Sequence, residues 1–206
     1  AHFAVVVDEY VEVARRFDAC DGVQLLEINI SCPNVKHGGM AFGTCPESAA
    51  EVTAAVRRAV RKPVIMKLSP NVTDIVSIAK ACESAGADGL SLINTMLGMV
   101  IDARTGRAIV STKTAGFSGP AVKPVALRMV YQVAGAVSIP VIGIGGVACA
   151  DDVIEMLSAG ACAVQVGAQN LVDPWACSRI LVELTQKMDE YGIGTVKDII
   201  GRTQTL

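Results

Sequence analysis

Leu25-Leu-Glu-Ile-Asn-Ile30 runs into Ser31-Cys-Pro-Asn34 and then Val35-Lys-His-Gly-Gly39. The first six residues form a short apolar run with β-branched members, which predicts a buried strand. Period-2 alternation places Leu25, Glu27 and Asn29 on one face and Leu26, Ile28 and Ile30 on the other. The strand then breaks into a loop that carries Cys32 between Ser31 and Pro33, and proline fixes the backbone beside the thiol. Asn29 and Asn34 flank that thiol. Two amides can grip a planar polar ligand while the sulfur exchanges a proton. The plainer alternative is a cysteine packed as a small hydrophobe, with the asparagines serving turn geometry.

Working outward, short apolar strands alternate with helical patterns along the whole chain. Strands are predicted at 25–30, 64–68, 89–93, 140–144 and 163–166. Helices are predicted at 8–17, 46–61, 73–85, 122–137, 151–158 and 173–191, with a short one from Val196. Pro46 suits a first helical turn, and Thr73 or Asn71 is the expected cap of the helix that follows it. This alternation predicts right-handed βαβ units and a parallel sheet, hence either a (β/α)₈ barrel or a doubly wound sheet. Each strand ends in a residue unlike its apolar body: Asn29, Lys67, Asn94, Gly145-Gly146 and Gly167. A barrel builds its site from several such strand ends, whereas a doubly wound sheet concentrates ligand contacts at one switch point. Five contributing strands favour the TIM barrel, with Leu90, Leu92, Ile65 and Val141 or Ile142 as candidates for its interior. Eight units usually need about 250 residues. The 206 residues hold five predicted strands, with no strand before the first helix.

Composition suits one α/β domain over residues 1–206. Hydrophobic residues make up 51% and charged ones 18%, as expected when strands are buried on both faces. Net charge is −2, and no basic patch interleaved with aromatics occurs, which argues against nucleic-acid binding. No run approaches the roughly 20 apolar residues of a membrane span, and the N-terminus lacks the basic start of a signal peptide. The seven cysteines are odd in number and contain no Cys-x-x-Cys, so a disulfide framework, zinc site or iron–sulfur site is not expected. Free thiols in quantity predict a reducing, cytoplasmic setting.

Several segments, taken in order, resemble the class 1 dihydroorotate dehydrogenases, and among them the catalytic subunit of subtype B. They are the 29–39 segment, Met66-Lys-Leu-Ser-Pro-Asn-Val-Thr-Asp74, Ile93-Asn-Thr95, Gly116-Phe-Ser-Gly-Pro-Ala-Val-Lys-Pro124, Gly143-Ile-Gly-Gly146 and Val166-Gly167. The resemblance implies that the chain corresponds to strands four to eight of the barrel, beginning at the helix before strand four. It implies oxidation of dihydroorotate to orotate in pyrimidine biosynthesis, with FMN as cofactor. Cys32 would be the catalytic base, and Asn29, Asn34, Asn94 and Thr95 the substrate contacts. Lys67 and Ile93 would lie near the flavin ring, and Gly116 and Gly119 would sit in a loop against it. Gly145, Gly146, Gly167 and Ala168 would hold its phosphate through backbone N–H groups. The family often has a hydroxyl residue where this chain has Ala168, which removes one possible hydrogen bond and keeps the N–H. The resemblance also implies a partner subunit with FAD and an iron–sulfur cluster, in a homodimer or heterotetramer.

Ser31 reads as structural, Lys123 as an exposed first-turn lysine, and the loop carrying His37 as a lid over Cys32. Two other readings stand beside the first. One is the flavin domain of dihydropyrimidine dehydrogenase, which shares the Ser-Cys-Pro context but tends to carry His where this chain has Asn34. The other is a barrel fragment without catalysis.

Overall fold

The computed structural model describes residues 6–31 and 42–205. Helix α1 (Val7–Asp18) precedes strand β1 (Leu26–Asn29). Then follow α2 (Pro46–Ala59), β2 (Val64–Lys67), α3 (Ile75–Ser84) and β3 (Gly89–Leu92). A small hairpin, β4 (Met96–Gly98) and β5 (Ala115–Phe117), interrupts the alternation. It resumes with α4 (Lys123–Ala134), β6 (Val141–Ile144), α5 (Ala150–Ala159) and β7 (Ala163–Gln165). The short α6 (Gln169–Val172) and the long α7 (Ala176–Glu190) close the series. The segment predicted to start a helix at Val196 makes a single 3₁₀ turn.

Five strands form one parallel sheet in the order β1-β2-β3-β6-β7. Parallel neighbours in register place Asn29 beside Lys67, Lys67 beside Ser91, and Ser91 beside Ile142. These residues share the concave face. On the opposite face Leu26, Ile28, Val64, Met66, Leu68, Leu90, Leu92 and Val141 are buried. The alternation of Leu26 and Ile28 against Glu27 and Asn29 is therefore as predicted. Leu90, Leu92 and Val141 are not interior residues: they share the helix-covered face, and Ile65 and Ile142 take the concave one. Helices carry small and β-branched residues into this core, among them Val52 and Val56 of α2, Ile78 of α3 and Val130 of α4. This architecture is a parallel α/β sheet wrapped by helices on one side, as in successive βα units of a TIM barrel.

Helix starts follow their local chemistry. The cap of α3 is Asp74, whose carboxylate accepts from Val76 N at 3.0 Å and Ser77 N at 3.2 Å. Neither Thr73 nor Asn71 takes that role. Asn71 instead receives Leu97 N on its Oδ1 at 2.9 Å and donates Nδ2 to Thr95 O at 3.0 Å. It thereby ties the β4–β5 hairpin to the end of β2. The six described cysteines are all unpaired. Among the described residues no helix is long and apolar enough to cross a membrane.

Candidate active site

The C-terminal ends of the strands open onto a cleft of about 430 Å³. Lys67 from β2, Ile93-Asn94-Thr95 after β3, Gly119 before α4, Gly145-Gly146 after β6 and Gly167-Ala168 after β7 all line it. Four strand ends thus converge on one cavity, which is how a barrel assembles a site. Asn29 stands at the end of β1 and reaches this wall through Asn94.

A compact amide network organises the polar end. Asn94 Nδ2 donates to Ser31 Oγ at 2.7 Å, to Ser31 O at 3.1 Å and to Asn29 Oδ1 at 3.3 Å. Asn29 Oδ1 also accepts from Ser31 Oγ at 2.8 Å and Ser31 N at 3.0 Å. Asn94 Oδ1 accepts from Thr95 N at 2.8 Å. Ser31 is fully buried, and its hydroxyl is consumed in holding the two asparagines together, the structural role read for it. Tyr10 adds a hydrogen bond from its hydroxyl to Asn29 O at 3.0 Å, fixing the end of β1 from the side of α1. Cys32, Asn34 and the His37 loop lie outside the described residues.

Lys67 supplies the cation on the cleft wall. Its Nζ lies 3.6 Å from Glu27 Oε1, and the two side chains keep 18% and 27% of their surface exposed. The ion pair is loose, which leaves donor capacity on the ammonium for a ligand.

The glycine turns form the opposite end. Gly145 and Gly146 have φ of +134° and +76°. A Cβ on Gly145 would sit 2.8 Å from Ala126 Cβ, and one on Gly146 would sit 2.8 Å from Lys123 N. Only glycine fits both the backbone and the space. Gly119 and Gly167 have nothing within 4 Å of a Cβ, so open space meets the main chain there. Among the described residues no backbone acceptor meets the N–H of Gly146, Gly167 or Ala168. Unpaired N–H groups around one cavity fit an anionic group such as a flavin phosphate.

Two residues fall differently from their sequence reading. Gly116 lies in β5, where a Cβ would meet Thr95 Cβ at 2.9 Å; it backs Thr95 and is not among the cleft-lining residues. Lys123 is not an exposed first-turn lysine. Its Nζ lies 2.5 Å from Asp152 Oδ1 and 2.8 Å from Glu155 Oε2, with 24% of the side chain exposed. Burial works against its charge, but these two carboxylates outweigh that and raise its pKa. Burial likewise opposes ionisation of Asp152, and the bonds from Lys123 and Ala148 N overcome it and hold its pKa low.

Comparison with known proteins places the chain in a family. The family model described as dihydroorotate dehydrogenase matches residues 2–188. The chain is 58% identical over 202 residues to the dihydroorotate dehydrogenase B (NAD(+)) catalytic subunit of Geobacter metallireducens, covering 98% of this chain and 66% of that protein. It is 56% identical over 197 residues to the subunit of the same name from Geobacillus kaustophilus, covering 96% of this chain and 63% of the relative. With the Halalkalibacterium halodurans subunit it shares 56% identity over 195 residues, 95% of this chain and 64% of the relative. The chain therefore spans a little under two thirds of the length of these curated relatives, and it belongs to the dihydroorotate dehydrogenase family.

Proposed function

We propose that this chain supplies the flavin cradle and the pyrimidine-facing wall of an enzyme that oxidises dihydroorotate to orotate. The observation that carries the reading is the single cleft joining the Asn94–Thr95 amide end, the Lys67 ammonium and the two glycine turns. Bound FMN supplies the acceptor for the hydride leaving C6 of the substrate. The unpaired N–H groups of Gly146, Gly167 and Ala168 suit its phosphate, and one phosphate-sized cradle suits FMN better than a dinucleotide. Lys67 places positive charge beside the ring, while Ile93 packs against the same cavity.

Asn94 and Asn29 orient the pyrimidine through amide donors and acceptors, with Thr95 and Asn34 adding contacts. Cys32 takes the proton from C5, a step made easier because the adjacent carbonyl acidifies it. The names of the relatives favour dihydroorotate over dihydrouracil. Their designation as catalytic subunits supports a separate electron-transfer partner, which we read as a subunit with FAD and an iron–sulfur cluster. A homodimer or a heterotetramer with that partner is the proposed assembly. The six unpaired thiols among the described residues support a cytoplasmic setting.

The test is direct. The purified protein is expected to be yellow and to release FMN on denaturation. Anaerobic mixing with dihydroorotate is expected to bleach the flavin, and dihydrouracil is expected not to. Absence of bound flavin, or bleaching by dihydrouracil alone, overturns the reading.

A further inference from the structure

We propose that the Lys123–Asp152–Glu155 charge cluster is the device that sets the phosphate-binding turn, and with it the preference for a phosphorylated flavin over the unphosphorylated one. The inference rests on the reading of the cleft as a flavin site. Lys123 opens α4, and its ammonium is bound by two carboxylates of α5. The other oxygen of Asp152 accepts from Ala148 N at 2.8 Å and from Cys149 N at 3.1 Å. One carboxylate therefore joins the start of α4 to the backbone that follows Gly145-Gly146. The turn itself is pressed on the same residue: a Cβ on Gly146 would lie 2.8 Å from Lys123 N and 3.0 Å from Gly119 O. Gly119 and Gly146 both line the cleft. The two loops that frame the phosphate end are thus clamped together, and the clamp is closed by the Lys123–Asp152 pair.

Lys123 acts through the turn. Its ammonium is committed to Asp152 and Glu155, so it is a positioning residue and not a phosphate ligand. Ligand-binding constellations lose affinity when donors drift by small distances from their productive geometry. Loosening the clamp lets the N–H groups of the turn drift, which weakens binding of the phosphate but leaves the ring contacts of Lys67 and Ile93 in place. A pair that only stapled α4 to α5 would lower stability without discriminating between the two flavins.

The experiment measures binding of FMN and of riboflavin to the flavin-free protein by fluorescence quenching. Wild type is expected to bind FMN more tightly. Lys123→Met is expected to weaken FMN at least tenfold and riboflavin less than threefold, and Lys123→Arg to restore most of the difference. Should Lys123→Met fail to fold, Asp152→Asn gives the same comparison, because its amide oxygen still accepts from Ala148 and Cys149 while the charge is gone. Equal weakening of both flavins, or no weakening of either, overturns the clamp. A wild type that binds neither flavin, or binds both equally, overturns the flavin-phosphate reading itself and the clamp with it.

Discussion

Gln165 donates its Nε2–H to Glu27 Oε2 at 2.8 Å, although the two residues are 138 positions apart and stand on the outermost strands of the sheet. Four strand spacings separate β1 from β7, about 19 Å in a flat sheet. Two side chains of this length do not bridge that gap, so the sheet is curled until its edges face each other across the concave side. That curl is the geometry a barrel requires. It also gathers Lys67, Asn94 and the glycine turns around one cavity. Glu27 is held from two sides, by Gln165 and by the Lys67 ammonium 3.6 Å away.

The first prediction concerns that charge. Glu27→Gln keeps an acceptor for Gln165 and removes only the negative charge beside Lys67. With its counter-charge gone, Lys67 favours electron-rich flavin more strongly. The flavin midpoint potential should rise by about 30 mV, roughly 1.4 kcal/mol for a two-electron couple. Gln165→Leu leaves the charge in place and should move the potential less than half as far. Spectroelectrochemical titration checks both, and a fall in potential for Glu27→Gln contradicts the assignment of Lys67 to the flavin.

A second prediction follows from the Asn94 amide. Its Nδ2 faces Ser31 Oγ, Ser31 O and Asn29 Oδ1, all of which can accept. Asn94→Asp replaces the donor by a further acceptor against the fully buried Ser31, where unmet polar groups cost about 1–3 kcal/mol. Asn94→Ala removes the group without adding repulsion. Urea unfolding should rank Asp as the less stable variant, and both should bind orotate at least tenfold more weakly. Asp equal to wild type in stability would mean that this network does not hold the end of β1.

The sequence readily exposed the elements and their edges. Strand 25–30 shows its two faces by alternation, and Lys67, Asn94, Gly145-Gly146 and Gly167, the residues that end the other four strands, line the cleft, which Asn29 reaches through Asn94. The β4–β5 hairpin was missed because Met96–Gly98 and Ala115–Phe117 are three-residue strands with sixteen residues between them, and no two-residue turn signal joins them. The cap of α3 was misread because Asn71, Thr73 and Asp74 all suit a helix start, and only the geometry separates them. Lys123 was misread for a different reason. Its partners Asp152 and Glu155 lie on another helix, and periodicity within one helix carries no information about a pair between helices. Cys32, the base that the family resemblance implies, lies outside the described residues.

Cys82 yields a prediction on pH. It is fully buried on α3, and burial pushes its thiol pKa from 9.0 up to about 11, against a smaller opposing bond with Thr53. A raised pKa means that the fold favours the neutral thiol. Its stabilising contribution is complete below pH 9 and is lost as pH climbs from 9 through 11, amounting to about 2–3 kcal/mol. Cys82→Ala costs stability at pH 8 by leaving a cavity, but it lacks this alkaline loss. The gap between wild type and variant in urea unfolding should therefore narrow from pH 8 to pH 11. A constant gap would show that Cys82 does not titrate with unfolding.

The last prediction sets two cleft glycines against each other. Gly146 has φ +76°, and its Cβ would strike Lys123 N and Cβ at 2.8 Å. Backbone cannot yield as a side-chain tip does, so Gly146→Ala must shift the turn or the start of α4. A left-handed position alone costs about 1–2 kcal/mol for an L-residue, and the clash adds to it. Gly167 has no such constraint, since its Cβ would meet nothing within 4 Å in the protein. Gly167→Ala should leave thermal stability within about 0.5 kcal/mol of wild type. Yet Gly167 lines the same cleft, and a methyl group there enters the space assigned to the cofactor. Flavin affinity should therefore fall in both variants, with loss of stability in Gly146→Ala alone. Calorimetric melting of the flavin-free proteins, paired with FMN titration, separates the two effects. If Gly167→Ala binds FMN as tightly as wild type, the phosphate does not approach the turn after β7.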